Sequence, residues 1–315
     1  MFSRIILSGT CSLIFLIIFG ASQQVYASTD SCRCVAFRLD DIQDYYLNKA
    51  QMEIIDTFPK NDASLTVGII GNYFGNDTVL VDFLKEKLEH NTALEIANHG
   101  WNHEDFTYYE KQEQSQLIQK TDGKILKVLG VASNGFIPPF NKINDDTISA
   151  LYENKIRYVS ANVTQDIPPY DLKDETFYHL PAAALTGDLN SDNSYWFGTQ
   201  HRETFAQVQI SLINYGFAVV TLHPQEYSKR QGLDFSNEVD AAQIRELGLL
   251  INDIEKNGLD IVTIGKIPDH NIVHQKTPQW IKQIFTWYET KKISADEVIN
   301  AIEFLTENKI IKFNS

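Results

Sequence analysis

Short apolar runs alternate with longer segments of helical periodicity over most of the chain. Runs of the β type occupy residues 34–39, 65–70, 93–97, 156–160, 217–222 and 259–264. Segments with apolar residues at helical spacing lie between them, at residues 79–89, 110–129, 147–154, 203–215 and 239–256. Such an alternation is typical of an α/β fold built on a parallel sheet.

Polar side chains with chemical potential follow three of these strand-like runs. Asp40 and Asp41 end the first run, His99 and His103 follow the third, and His223 follows the fifth. In parallel α/β folds, ligands and catalytic groups gather at the carboxyl ends of the strands. We therefore expect these side chains to form one site.

The spacing of His99 and His103 suits a metal site. Two imidazoles one helical turn apart can point the same way, and one carboxylate completes a three-ligand set that leaves a position open for water. Histidines also fall at this spacing by chance, and a carboxylate pair at a strand end can cap the next helix. The coincidence of three strand ends favours the metal site.

These motifs resemble, in order and approximate spacing, the first, second and last motifs of the polysaccharide deacetylases. The resemblance covers roughly residues 33–267 and implies a distorted (β/α) barrel. It also implies that Asp41, His99 and His103 hold a divalent metal, with Zn2+ as the expected ion. By the same resemblance, Asp40 would be the general base and His223 the general acid.

The chain departs from this family around the third motif. The family has an arginine there that helps to hold the base carboxylate, whereas this segment reads Ile137-Pro138-Pro139-Phe140-Asn141. Arg38 alternates onto the same strand face as Asp40 and could replace that arginine, as could Lys142. The resemblance places Pro139, Phe140 and Asn141 in the substrate site. Ile42 also stands where the family usually has glycine.

Residues 164–200 form a long segment rich in Asp, Asn, Ser, Pro and aromatic residues. The Asp–Trp motif that the family carries in mid-chain is not visible here. Long loops in compact α/β domains are commonly functional, so we expect this one to shape the substrate groove. Tyr170, Tyr195 and Trp196 could stack on sugar faces or could anchor the loop to the barrel.

The composition is that of an enzyme domain rather than a binding tail. The 315 residues are 43% hydrophobic and 11% aromatic, which is enough for a sizeable core. A formal net charge of −14 would repel a phosphate backbone, so we expect no nucleic-acid partner. Neutral glycans and metal cations are compatible with this charge.

Residues 1–27 have the features of a secretory signal peptide. Arg4 supplies positive charge, residues 5–19 are apolar, and cleavage is expected after Ala27. The apolar run is short for a membrane span of about 20 residues, so a retained membrane anchor is the less favoured alternative. Both interpretations place the domain outside the cytoplasm, either secreted or attached at the cell surface.

Cysteines are sparse once the signal peptide is set aside, since only Cys32 and Cys34 remain. A bridge between residues so close in sequence is expected to be strained, so reduced thiols or an intermolecular link are alternatives. A Cys-x-Cys pair without a nearby histidine gives no support to a zinc site.

The chain changes character after the predicted barrel, which spans residues 33–268. Residues 277–313 have the pattern of a small helical hairpin, with Trp287 and Tyr288 on an apolar face and Ser294 opening a capping box. The hairpin resembles a short Trp-containing module of secreted and surface proteins of archaea. We expect its aromatic residues to form its own core and the module to fold independently.

The residues and the resemblance together predict a metal-dependent hydrolase that removes acetyl groups from an extracellular N-acetylated polysaccharide or glycan. An alternative of another class is a glycan-binding or cell-surface protein that keeps the metal site but has weak or no activity, as the missing arginine suggests. Metal-assisted hydrolysis of another amide or ester is a third hypothesis.

Overall fold

A computed structural model describes residues 32–90, 93–162, 176–190, 195–272 and 277–311. The expected signal peptide and Tyr170 lie outside these ranges. Helices in the described part of the chain are α1 (Asn48–Lys60), α2 (Thr78–His90), α3 (Lys111–Leu129), α4 (Asp145–Glu153), α5 (His201–Tyr215), α6 (Ala241–Lys256), α7 (Gln279–Glu289) and α8 (Ala295–Glu307). Helices α2–α6 occupy the segments for which the apolar periodicity predicts helices.

The strands of the described residues are β1 (Cys34–Ile42), β2 (Leu65–Ile69), β3 (Leu94–Asn98), β4 (Gly135–Phe136), β5 (Tyr158–Val159), β6 (Tyr178–His179), β7 (Ala184–Leu185), β8 (Gly187–Leu189), β9 (Trp196–Gly198), β10 (Ala218–Leu222), β11 (Ser228–Gln231), β12 (Asp234–Val239) and β13 (Asp260–Val262). The main sheet has the order β6-β5-β4-β3-β2-β1-β10-β7, with β13 also paired to β1. All its pairings are parallel. The sheet curls into a half-barrel, which confirms the predicted α/β barrel-type fold.

Strand β1 lies at the centre of the sheet and separates two cores. Val35, Phe37 and Leu39 are buried in the large cluster between sheet and helices. Cys34 and Ala36 belong to a second buried cluster, formed with residues of other strands. Because side chains alternate along a strand, Arg38 and Asp40 continue the second series, on the inner side of the curled sheet. The inner face therefore changes from apolar to charged toward the carboxyl end of β1.

Helix α1 is absent from the set predicted by periodicity. Its buried residues do have helical spacing; they include Ala50, Ile54, Ile55 and Phe58. No side chain caps its N-terminus, and Pro59 lies in its last turn. The usual start and stop signals of a helix are therefore missing from this segment.

The prediction of one long loop over residues 164–200 is wrong for its described part. Residues 176–190 and 195–200 contain β6 and β7 of the main sheet and an antiparallel hairpin formed by β8 and β9. These strands are two or three residues long, so hydrophobic periodicity has too few positions to reveal them.

Cys32 and Cys34 are joined by a disulfide, which excludes the alternatives of free thiols and an intermolecular link. Their Cα atoms lie 5.1 Å apart, a separation that a disulfide can span. Within the described residues, no helix combines the length and the apolar character needed to cross a membrane.

The C-terminal hairpin, formed by α7 and α8, packs on α5 of the barrel. Ile281, Phe285, Val298 and Ile302 are buried in the same large cluster as the barrel residues. Arg202 of α5 also forms an ion pair with Asp296, at 2.9 Å between Nε and Oδ1. This packing argues against the predicted independent folding of the hairpin.

Candidate active site

The carboxyl end of β1 carries a break in its regular backbone. Leu39 pairs with Val67 and Ile42 pairs with Ile69, so β1 has one extra residue between these pairs. Asp41 adopts a left-handed conformation, with φ of 64°. A β-bulge of this kind redirects a side chain that would otherwise point to the opposite face. Asp40 and Asp41 can therefore serve the same site although they are adjacent.

His99 directly follows β3, and His103 lies four residues further along a loop. The segment between them is not a helical turn, contrary to the reasoning from spacing. Gly100 and His103 have φ values of 77° and 57°, and these left-handed residues bend the loop back on itself. The Gly100 N–H donates to Asn98 Oδ1 at 2.9 Å, which anchors the bend to the end of β3.

Asp41, His99 and His103 converge on one point. The Nε2 atoms of both histidines lie 3.2 Å from Asp41 Oδ1, and one ligand atom from each residue lies within 4.8 Å of the others. His99 Nδ1 lies 2.7 Å from the carbonyl oxygen of Ile137, so Nδ1–H donates there and Nε2 faces the site. Such a backbone contact is how proteins commonly orient a metal-binding imidazole.

The charges in this cluster reinforce one another. Burial works to raise the pKa of Asp41, but His103 and His99 outweigh it and hold that pKa well below its ordinary value. Burial likewise works to lower the pKa of His99, and the contact with Asp41 together with the charges of Asp40 and Asp41 raises it. A bound cation would take the place of the imidazole protons, so metal binding and proton release are coupled here.

Arg38 is fully buried beside Asp40, with 3.1 Å between its Nη2 atom and Asp40 Oδ2. Its Nη1 atom donates to the carbonyl oxygen of Ser160 and lies 3.1 Å from Ser160 Oγ. Arg38 therefore takes the place expected of the missing arginine. Lys142, the other candidate, instead pairs with Asp105 at 2.6 Å.

The third-motif segment lines one side of the site. Pro139 is buried, and Phe140 is 57% exposed with its ring centroid 4.8 Å from that of His103. Asn141 Oδ1 accepts a hydrogen bond from Arg38 Nη2. Of these residues, Phe140 presents the most surface to a substrate, whereas the side chain of Asn141 is engaged in holding Arg38.

His223 directly follows β10, on the other side of Asp40. Its Nε2 atom lies 4.0 Å from Asp40 Oδ2, and its Nδ1 atom lies 2.9 Å from Glu226 Oε1. Burial works to lower the pKa of His223, but the hydrogen bond and charge of Glu226, with the charges of Asp40 and Asp41, raise it to about 9. These contacts favour the protonated form of the imidazole.

Trp196 and Tyr195 lie near His223 but make different contacts. The Trp196 ring lies over the His223 imidazole, with centroids 4.8 Å apart and planes inclined by 32°. Arg230 of β11 lies over the Tyr195 ring at 3.5 Å. Trp196 thus reaches the site itself, while Tyr195 contacts the β11–β12 hairpin.

Two polar residues of the site, Glu226 and Gln225, are absent from the set predicted from the sequence. Glu226 Oε1 lies 2.9 Å from His223 Nδ1, and Gln225 Nε2 lies 3.3 Å from Asp41 Oδ2. Both belong to the turn that follows His223, in the run His223-Pro224-Gln225-Glu226. A carboxylate three residues after a histidine could have been noticed as a local partner. The whole arrangement can hold a cation, and it places beside that cation a carboxylate that can accept a proton and an imidazole that can donate one.

Comparison with known proteins points to one family. Residues 27–159 match the family model described as polysaccharide deacetylase. A bifunctional xylanase/deacetylase from Pseudobutyrivibrio xylanivorans is 20% identical over 196 residues, which are 62% of this chain and 31% of that protein. The chain thus spans about a third of the length of this curated relative.

Solved structures share the fold. A provisionally assigned polysaccharide deacetylase from Mycobacterium smegmatis gives a TM-score of 0.58 at 16% identity, over 80% of this chain and 96% of that one. A CE4 family pseudoenzyme from Bacillus anthracis gives 0.52 at 14% identity, over 77% and 67%. A family 4 acetyl xylan esterase from Clostridium thermocellum, in complex with a cobalt ion, gives 0.50 at 16% identity, over 74% and 89%. The chain therefore has the fold of these three proteins.

Proposed function

We propose that this chain is a polysaccharide deacetylase, a metal-dependent hydrolase that removes N-acetyl groups from an extracellular N-acetylated glycan. One observation carries the proposal: a metal-ligand set, a buried carboxylate and an imidazole converge at neighbouring strand ends. The set is Asp41, His99 and His103, flanked by Asp40 and His223. The family match over residues 27–159 supports the same reaction class.

The donor set fits a divalent metal of the zinc type. Two imidazoles and one carboxylate are a common ligand set of catalytic zinc, and they leave a coordination position open. The Nε2 atom of His99 is directed at the site because Nδ1 is bonded to Ile137. A cation bound there would polarise the acetyl carbonyl and make a neighbouring water more acidic.

The protein's own residues account for the proton movements. Asp40 Oδ1 is buried and has no hydrogen-bond partner among the described residues, whereas Oδ2 is held by Arg38. Oδ1 is therefore the atom that would take the proton of the attacking water. His223 lies on the far side of Asp40, and its Nε2 atom would protonate the departing amine as the C–N bond breaks.

Arg38 bears on the alternative of an inactive protein. The missing third-motif arginine is the reason to expect a weak or non-catalytic site. Arg38 of β1 forms a buried ion pair with Asp40, and it can thereby hold the base carboxylate in place of that arginine. A second candidate reaction is hydrolysis of O-acetyl esters by the same residues. It is favoured by the acetyl xylan esterase and the xylanase/deacetylase among the similar proteins.

We further propose a secreted or cell-surface location, with cleavage after Ala27, and a glycan rather than a nucleic acid as partner. The apolar run at residues 5–19 and the net charge of −14 support these assignments. Measuring the mature N-terminus of protein recovered outside the cell tests the location. A mature chain that still begins at Met1 and stays in the cytoplasm would contradict it.

The two neighbouring aspartates provide the sharpest test of the reaction. We expect the purified protein to contain a divalent metal by mass spectrometry and to release acetate from members of a panel of N-acetylated and O-acetylated glycans. Asp40→Asn should retain the metal and lose turnover by about 10²–10⁴-fold, whereas Asp41→Asn should lose metal as well. Asp56→Asn, a surface carboxylate paired with Lys60 and Lys87, is the control. Equal metal loss in both site variants would refute the assigned roles.

A further inference from the structure

We propose that Glu226 is the positioning residue for the general acid His223, and that Thr186 in turn holds Glu226. This inference rests on the proposed function, in which His223 delivers a proton to the leaving group. It concerns residues that the sequence motifs do not include, since Glu226 lies beyond the last motif and Thr186 lies between β7 and β8.

The chain turns back under His223 immediately after β10. Residues Pro224–Tyr227 form a short 3₁₀ turn, and the Glu226 N–H donates to the carbonyl oxygen of His223 at 3.2 Å. This turn brings Glu226 Oε1 to 2.9 Å from His223 Nδ1. The Glu226 side chain is only 1% exposed, so the contact is shielded from solvent.

The carboxylate of Glu226 is fixed from its other side. Thr186 Oγ1 donates to Glu226 Oε2 at 2.5 Å, so both carboxylate oxygens are engaged. The next residue, Gly187, leaves room for the Glu226 side chain, because a Cβ atom there would lie 2.4 Å from its Cγ and Cδ atoms. Glu226 therefore occupies a fitted position between β8 and the imidazole.

The contact decides which nitrogen of His223 faces the reaction. Because Nδ1–H donates to Glu226, Nε2 is directed toward Asp40, 4.0 Å away. The acidic groups facing His223 are Glu226 from its own turn and Asp40 and Asp41 from β1. Glu226 is the one at hydrogen-bond distance, so it determines the orientation of the ring. It also stabilises the imidazolium that must exist before the proton is delivered.

Two substitutions of Glu226 separate the effect of its hydrogen bond and charge from the effect of its side-chain volume. Glu226→Ala removes the acceptor, whereas Glu226→Gln keeps the volume and an acceptor oxygen but removes the charge. Thr186→Val removes the hydrogen bond to Glu226, together with the longer contact of 3.3 Å to the carbonyl oxygen of Thr221. Glu246→Gln is a matched control, because Glu246 contacts His201 Nδ1 at 2.7 Å in a second His–Glu pair that includes neither His223 nor Glu226.

The experiment measures kcat and KM for acetate release by the zinc-loaded protein, and the tautomer of His223 by 15N NMR of the imidazole. Glu226→Ala should lower kcat by about 10- to 100-fold with little change in KM. In the NMR spectrum of the imidazole, it should abolish the signal of the Nδ1–H that is hydrogen-bonded to Glu226. Glu226→Gln should retain that hydrogen bond and lose less of kcat. Zinc content should stay at the parent level in both variants, and Glu246→Gln should resemble the parent.

The outcomes distinguish this inference from the proposed function. If the parent protein releases no acetate, the proposed function fails, and the NMR comparison still decides whether Glu226 orients His223. If Glu226→Ala keeps the parent's kcat and imidazole spectrum, the positioning role is refuted. If Glu226→Ala does not fold, the kcat values of Glu226→Gln and Thr186→Val decide: a parent-like kcat in both would overturn the inference.

Discussion

Arg38 is the residue that most changes how the site is understood. A fully buried guanidinium is unfavourable unless its donors are satisfied, and burial indeed works to lower the pKa of Arg38 while Asp40 raises it. Its Nη1 and Nη2 atoms reach Asp40, Ser160 and Asn141, which belong to three different parts of the sheet, whereas Nε has no partner among the described residues. Asp40 thereby keeps one oxygen held and the other available for chemistry.

Arg38→Met should therefore harm both stability and turnover. The substitution leaves the buried Asp40 carboxylate without its cation, which is expected to cost about 3–5 kcal/mol of unfolding free energy. Denaturant unfolding and acetate release measure the two effects. Lys142→Met is the control, since Lys142 is bound to Asp105 at the rim. Parent-like stability and turnover in Arg38→Met would show that Asp40 does not depend on this pair.

His223 should determine the alkaline limb of the pH profile. Its pKa is raised from 6.5 to about 9, so the protonated acid is present below that value and is lost as the pH rises through it. A cation bound at Asp41 would lower this pKa, so we expect kcat/KM to fall between about 6.5 and about 9. Profiles from pH ~5 to ~10 test this. If His223→Ala kept turnover and the same alkaline limb, another group would be the acid.

At the level of elements, small backbone irregularities assemble the site. The bulge near the end of β1 brings Asp41 to the side of Asp40, and the bent loop after β3 brings His103 back to His99. Strands and helices supply a rigid frame, and these irregular strand ends aim the side chains. The chemistry therefore depends on backbone geometry at positions where regular secondary structure stops.

The C-terminal hairpin is an element whose stability should be inseparable from that of the barrel. Ile302 of α8 is fully buried in the shared core, whereas Phe304 of the same helix is 60% exposed. Ile302→Ala should lower the unfolding free energy by about 2–5 kcal/mol, while Phe304→Ala should change it by less than about 0.5 kcal/mol. Denaturant unfolding of the two variants makes the comparison.

Truncation after Asp269 tests the same point more severely. Independent folding of the hairpin predicts that acetate release survives the deletion, whereas the packing of α8 on α5 predicts loss of soluble protein because the core of α5 becomes exposed. A soluble and active truncated chain would show that the hairpin is a separate module.

For the whole molecule, charge and metal binding act together on stability. The excess of 41 acidic over 27 basic residues gives the net charge of −14, which favours cations near the site over anionic ligands. The metal ligands come from β1 and from the loop after β3, so a cation joins segments that are about 60 residues apart in sequence. Metal binding should therefore stabilise the folded barrel.

Removing the metal with a chelator should lower the melting temperature. At a free metal concentration of about 100 times Kd, binding contributes about 2.7 kcal/mol, which corresponds to a shift of about 5–10 °C. Differential scanning fluorimetry before and after adding zinc back measures this. His103→Ala should abolish the shift, whereas His201→Ala should retain it because His201 contacts Glu246 and Asp253 instead. An unchanged melting temperature on chelation would argue against a metal at this site.

The order of strands and helices and the set of candidate ligands follow from the sequence itself. Apolar periodicity is a local property, so it identifies β1, β2, β3 and β10 and places Asp40, Asp41, His99 and His223 at their ends. Parallel pairing then requires that these ends meet at one edge of the sheet. The short strands β6, β7, β8 and β9 escape such reasoning because they contain too few patterned positions, and α1 escapes it because it lacks the usual start and stop signals.

The tertiary structure decided which partners support those residues. Arg38 alternates onto the face of Asp40 by strand geometry alone, but its choice over Lys142 depended on Ser160, 122 residues away in sequence. Glu226 and Thr186 are likewise 40 residues apart, and the left-handed conformation of Asp41 is imposed by pairing with β2. Local patterns record burial and periodicity, whereas these contacts arise only when distant segments pack together and satisfy each other's buried polar groups.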